Sequence, residues 1–268
     1  MDIEKRTAEL AAKGSYVFSD LIDIMEILRS ERGCPWDREQ DHHSIIDDLI
    51  EETYEVIEAI DTDDPVLLRE ELGDVMLQVV FHARIEEEKD SFNIDDVAND
   101  ICVKLIHRHP HVFGDINVSG SSEVLSNWEK IKSAEKERKT VTDKLRSVPP
   151  MLPALMRAAK VGKKASCFDF PTAEDVMDKI AEEMVEVSEA MAAGEQSAIE
   201  EEIGDLLLSV TSLCRKLGVK PEDALNRATD KFIDRFEKIE NAVIESGKDI
   251  SKMDMPELDA IWDEIKHK

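Results

Sequence analysis

Glu51-Glu52-Thr53-Tyr54-Glu55 and Glu71-Leu72-Gly73-Asp74, in the first half of the chain, return in the second as Glu182-Glu183-Met184-Val185-Glu186 and Glu202-Ile203-Gly204-Asp205. Both strings recur at one offset, 131 residues. Two more landmarks follow in the same order. Lys104-x-x-x-Arg108 pairs with Lys231-x-x-x-Arg235 at an offset of 127, and Trp128-x-x-x-Lys132 pairs with Trp262-x-x-x-Lys266 at 134. Self-similarity at a fixed period is the signature of a repeated structural unit, so the chain reads as a tandem duplication. The expected domains are 18–132 and 154–268. Between them, residues 133–153 begin SAEKERK and end SVPPMLP. Charge followed by prolines reads as a helix tail and then an extended linker.

The repeats lie in helical sequence. Leu49, Val56, Ile57 and Ile60 recur at helical spacing, as do Leu72, Val75 and Val79. Asp64-Pro65 reads as an N-cap followed by proline at the first helical position. Thr172 to Asp175 and Ser197 to Glu200 have the spacing of capping boxes, and Lys220-Pro221 opens a further helix. Only 10 glycines and 9 prolines punctuate 268 residues, and no stretch alternates with period two for long enough to argue a sheet. The expected fold class is all-α, with a hydrophobic fraction of 42% to supply its core.

Composition excludes several functions. With 61 acidic against 34 basic residues the formal charge is −27, which repels a phosphate backbone and argues against nucleic-acid binding. Cys34, Cys102, Cys167 and Cys214 form no CxxC pair, a pattern of reduced thiols rather than of a disulfide framework or zinc site. The amino terminus, MDIEKRTAEL, is charged and has no apolar signal core, and no apolar run approaches 18 residues. A soluble cytoplasmic protein without membrane partners is expected.

On a helix, residues three or four apart share a face. Glu51, Glu52 and Glu55 are therefore neighbours, as are Glu71 and Asp74 on the next helix. Antiparallel packing of the two helices brings four carboxylates together, and the glycine between Glu and Asp in each copy is expected to permit close approach there. Clustered carboxylates raise one another's pKa unless a cation sits among them. All-oxygen ligands select Mg²⁺, or Mn²⁺, over zinc or copper. A lone EExxE in so acidic a chain is a solvated face; repetition with its companions turns it into a candidate metal site. The cations are the complementary half, since Lys104 with Arg108 and Lys231 with Arg235 stand one turn apart and suit phosphate oxygens. As single pairs they are also ordinary surface cations. Trp128 and Trp262 either stack on a base or close a core, with Lys132 and Lys266 one turn further on.

Gly33-Cys-Pro-Trp-Asp37, Leu49-x-Glu-Glu-Thr-Tyr-Glu55, Glu70-Glu-Leu-Gly-Asp74, His107-Arg-His-Pro-His-Val-Phe113, Leu152-Pro-Ala-Leu155 and Phe168-Asp-Phe170 together resemble the MazG family of nucleoside-triphosphate pyrophosphohydrolases, over essentially the whole chain. The resemblance implies hydrolysis of an NTP or dNTP between the α and β phosphates, giving a nucleoside monophosphate and pyrophosphate. It also implies a homodimer of helical domains whose sites have a four-helix-bundle-like arrangement. Glu183, Glu186, Glu202 and Asp205 would hold Mg²⁺, with Glu182 and Glu201 assisting the attacking water. Lys231 and Arg235 would bind the triphosphate, and Trp262 and Lys266 would lie near the nucleotide. The first-copy equivalents are Glu52, Glu55, Glu71 and Asp74 for metal, with Glu51, Lys104, Arg108, Trp128 and Lys132 around them. Family activity is associated chiefly with the second copy, although both retain every acidic landmark. Two other functions stay open: a narrower house-cleaning dNTP pyrophosphatase, and a non-catalytic helical regulator that binds nucleotide.

Other features read as structure. His107, His109 and His111 around Pro110 mark a turn, Glu39-x-x-His42 lacks the second ExxH a di-iron site needs, and Met151, Met156, Met184 and Met191 read as core filling.

Overall fold

A computed structural model describes residues 3–135 and 140–266. Fourteen α-helices run in order among them: α1 (Ile3–Ala11), α2 (Phe18–Leu28), α3 (Pro35–Glu39), α4 (Ile46–Asp61), α5 (Pro65–Glu87), α6 (Ile94–Arg108), α7 (Pro110–Phe113), α8 (Ser121–Glu135), α9 (Val141–Arg146), α10 (Ala154–Lys164), α11 (Ala173–Ala193), α12 (Gln196–Lys216), α13 (Pro221–Glu245) and α14 (Met255–Lys266), with one 3₁₀ turn at Ile250–Lys252. No strand occurs among the described residues, and the fold is all-α. No described helix is long and apolar enough to cross a membrane.

The chain divides into two compact units, Met1–Lys132 and Ser133–Lys268. In the first, α4 and α5 form a helical hairpin, with α2 packed on α5 and α1 on α2. In the second, α11 and α12 form the equivalent hairpin, with α10 packed on α12. The segment expected to be a linker, 133–153, carries α9; its residues 136–139 lie outside the described residues.

The helix starts show why these segments fold locally. Asp64 caps α5, its carboxylate accepting from the amides of Val66 at 2.9 Å and Leu67 at 3.1 Å, with Pro65 at N1. Thr172 and Asp175 form the reciprocal box that starts α11. The box expected at Ser197 is not formed, because α12 begins earlier, at Gln196. α11 ends on Gly194, whose φ of 74° requires a residue tolerant of the left-handed region.

The first unit's core is built from Met25, Ile45, Val80, Phe81 and Ile85, with Leu21, Ile22, Leu77 and Ile94 packed against it. His42 anchors the segment leading into α4. Its ring stacks on His82 and its Nε2 lies 2.7 Å from Glu86, which is the environment of this histidine instead of any pairing with Glu39.

Each hairpin also leaves an apolar stripe uncovered within the single chain. On α11, Met177, Met184 and Met191 recur every seventh residue and are all more than half exposed. On α12, Ile203, Leu207, Val210 and Leu217 follow the same seven-residue pattern, and α4 exposes Ile46, Ile50, Tyr54 and Ile57. The expectation that Met151, Met184 and Met191 fill the core is therefore corrected: Met151 is 91% exposed, and the other two lie on this outer stripe. Periodicity alone does not distinguish a face buried inside the chain from one left outside it.

Met25 is 1% exposed at the centre of the first core. Met25→Ala is expected to cost about 2–5 kcal/mol, measured as a lower urea midpoint for the unfolding of that unit.

Candidate metal and nucleotide site

The α11–α12 hairpin brings Glu183, Glu186 and Glu202 together, with one carboxylate oxygen from each lying within 4.8 Å of the others. The α4–α5 hairpin does the same for Glu52, Glu55 and Glu71. The spacing explains the convergence: the ExxE residues project from one helix, and the first acid of ExxD faces them from the antiparallel partner. Asp74 and Asp205 stand three residues further on. Asp74 is close enough to raise the pKa of both Glu52 and Glu71 electrostatically, and Asp205 lines the same cleft as Glu183. Glu51, Glu182 and Glu201 are exposed at the edges of their clusters.

The electrostatics of the two clusters differ. In the first unit the carboxylates are compressed without a local cation. Burial and the neighbouring Glu55 push Glu71 up to about 6, and burial together with Asp74 raises Glu52. In the second unit Lys179 reaches in from one turn earlier on α11. Its Nζ lies 2.8 Å from Glu182, 3.0 Å from Glu183 and 4.0 Å from Glu186. These bonds raise the lysine above its ordinary range. Lys179 escaped the sequence reading because the equivalent position 131 residues earlier is Asp48, so the repeat search that found the other residues passed over it.

Both clusters fit a hard divalent cation. Every donor is a carboxylate oxygen, and mutual repulsion also raises Glu186 through its contact with Glu183. Glu183 is only 4% exposed, and its Oε2 has no hydrogen-bond partner. A buried carboxylate oxygen with nothing to accept from is costly, and a bound cation removes that cost.

The cationic and aromatic landmarks gather elsewhere in each unit. The Arg235 guanidinium lies 5.6 Å from the Trp262 ring centre, and Phe232 packs against the same ring at 5.5 Å. In the first unit Arg108 lies 5.4 Å and Lys132 4.3 Å from the Trp128 ring. Lys104 and Lys231 are exposed, and Lys266 is exposed at the end of α14. Within one chain none of Lys231, Arg235, Trp262 and Lys266 lines the cleft that holds Glu183 and Asp205. The glycines did not behave as expected either. A Cβ at Gly73 or Gly204 would meet nothing within 4 Å, so neither marks a close helix approach within the chain.

Two copies of an all-α hairpin unit, each with a carboxylate cluster suited to a divalent cation, define a helical hydrolase of the kind that works on phosphate esters. The model of the MazG nucleotide pyrophosphohydrolase domain matches residues 40–113 and 171–239. The chain is 44% identical over 252 residues to the nucleoside triphosphate pyrophosphohydrolase/pyrophosphatase MazG of Thermotoga maritima, covering 93% of this chain and 96% of that protein. It is 43% identical over 251 residues to the nucleoside triphosphate pyrophosphohydrolase of Escherichia coli K12, covering 92% and 95%. The chain belongs to the MazG family and is an enzyme of the nucleoside-triphosphate pyrophosphohydrolase class.

The raised Glu71 gives a pH test. A carboxyl whose folded pKa of about 6 exceeds its ordinary 4.5 contributes stability while protonated, and that contribution is lost as pH rises through 6. In chelator-treated protein, Glu71→Gln is therefore expected to melt with the wild type near pH 4.5 and above it beyond about pH 6.5, as followed by circular dichroism.

Proposed function

We propose that the second unit carries out Mg²⁺-dependent hydrolysis of nucleoside triphosphates, ribo or deoxy, to nucleoside monophosphate and pyrophosphate. Water attacks the α-phosphorus: its oxygen forms the new P–O bond, and the bond to the α,β-bridging oxygen breaks. Pyrophosphate leaves with that electron pair. The observation that carries this reading is the buried, unpartnered Oε2 of Glu183 within a cluster of three carboxylates. Mg²⁺ bound there, with Mn²⁺ as a substitute, offsets triphosphate charge and acidifies a bound water.

The protein groups supply positioning and charge. Glu183, Glu186, Glu202 and Asp205 hold the cation. Glu182 and Glu201, at the exposed edge, orient the attacking water and take its proton. Lys179 is the cluster's resident cation when no metal is present; once metal replaces it among the carboxylates, its flexible stem carries the ammonium to the triphosphate. Lys231 and Arg235 neutralise the remaining phosphate charge, with Trp262 and Lys266 beside the nucleotide. The first unit keeps the metal set Glu52, Glu55, Glu71 and Asp74, and the surrounding Glu51, Lys104, Arg108, Trp128 and Lys132. Asp48 stands there in place of the lysine, so that unit adds charge where the second removes it.

The protein acts as a homodimer in this reading. Seven-residue apolar stripes on α11 and α12 have the form of a helix-bundle seam, and a second copy covers them as the other half of a four-helix arrangement. It works in the cytoplasm on the free nucleotide pool.

Product analysis with Mg²⁺ is expected to give monophosphate and pyrophosphate from ATP or a dNTP; diphosphate and orthophosphate would refute the bond choice. Glu183→Ala or Asp205→Ala is expected to lower kcat by at least about a hundredfold. A retained rate there, with loss on Glu52→Ala, would move the working site to the first unit. Leu207→Asp is expected to halve the mass found by light scattering, as a charge placed in an apolar seam does.

A further inference from the structure

A cleft of about 410 Å³ lies between α10, the segment 165–170 and α12 in the second unit, and it reaches Lys179, Glu183 and Asp205. Its volume is within the ~300–1,000 Å³ range of small-molecule sites. One wall is made of small residues of α10, among them Ala158, Ala159 and Gly162; the facing wall, α12, presents Ser209 and Ser212. Glu183, 4% exposed with its unpartnered Oε2, sits where the cleft meets the carboxylate cluster.

The rim is built, not incidental. A Cβ on Gly162 would stand 3.2 Å from Arg215 Nε, so the glycine lets the arginine lie against α10. From there Arg215 donates to both oxygens of Asp169, at 2.8 and 2.5 Å, and Lys216 adds a third contact at 2.9 Å. This clamp fixes the segment that carries Phe168, whose ring is 94% exposed at the cleft. An aromatic face held out of the core by an anchored neighbour is what a planar heterocycle stacks on.

The first unit shows the same place filled. The residue 131 positions before Ser212 is Phe81, and the one before Ser209 is Gln78. Phe81 is 4% exposed within the core of Met25, Ile45, Val80 and Ile85. Arg29 covers its ring at 5.2 Å, and donates to the backbone carbonyls of Asp37 and Gln40, the counterpart of the segment that bears Phe168.

We propose that the second unit's cleft takes the base and sugar of the substrate nucleotide, with Phe168 as the stacking face and Ser209 and Ser212 as selectivity residues. The first unit admits no nucleoside, because Phe81 occupies the equivalent volume. The proposal rests on the reading above, in which the adjoining carboxylates handle the triphosphate.

Calorimetric binding of the α,β-methylene analogues of ATP and dTTP to the full chain, with Mg²⁺, tests it apart from turnover. Ser212→Phe transplants the first unit's plug and is expected to weaken both analogues at least about tenfold, and Phe168→Ala by about tenfold. Ser209→Ala is expected to change the ratio of the two affinities, with kcat/KM across the nucleotides following it. Mn²⁺ binding, read by electron paramagnetic resonance, stays within twofold of wild type in all three. Unchanged analogue affinities in folded Ser212→Phe would overturn the proposal. Should that variant not fold, unchanged affinities in both Phe168→Ala and Ser209→Ala would overturn it. A wild-type chain that binds analogue through Phe168 but yields no monophosphate would defeat the hydrolysis reading and leave the cleft assigned.

Discussion

Six carboxylates, three in each unit, are held with oxygens inside 4.8 Å of one another, and the rest of the molecule is arranged around that constraint. Like charges at such separations push apart or take up protons unless something positive lies between them. Long antiparallel helices resist the first outcome, since each backbone is fixed by its own hydrogen bonds and by packing against α2 or α10. The outcomes left are protonation or a cation, and the two units divide between them. Glu71 moves towards protonation, while Lys179 brings an ammonium to Glu183.

That division was invisible in the string of amino acids, for a definable reason. Repetition located Glu52, Glu55, Glu71 and their counterparts because the same letters recur at the same offset. It could not locate Lys179, Phe81 or Ser212, which matter because the copies differ there. The all-α class was legible in capping residues such as Asp64 and Thr172 and in the rarity of glycine and proline. The exposed stripe on α11 was not, because Met177, Met184 and Met191 are spaced as core residues are spaced. The close approach expected at Gly73 and Gly204 failed on the same ground: a glycine reports that room is wanted, not which surface wants it. Gly162, which attracted no notice in the sequence, is the one that lets Arg215 come near a neighbouring helix.

Comparison of the hairpins shows how one scaffold supports two temperaments. In the first unit, apolar side chains from α2 and α5 interlock around Phe81, and Arg29 seals the loop above them. In the second, the matching surfaces of α10 and α12 carry alanines and serines and leave a cleft. Close packing stabilises and an open cleft receives; a single chain carrying both copies is not forced to compromise either within one unit.

Lys179 has a consequence for the order in which the protein is made and used. A site built only from acids depends on its ion to become comfortable, so its folding is tied to ion supply. The second hairpin carries a tethered counter-charge that sets with the helix itself. It can reach its final shape in the absence of metal and then exchange one cation for another when metal and nucleotide arrive. The first hairpin, with Asp48 at that position, has no such understudy.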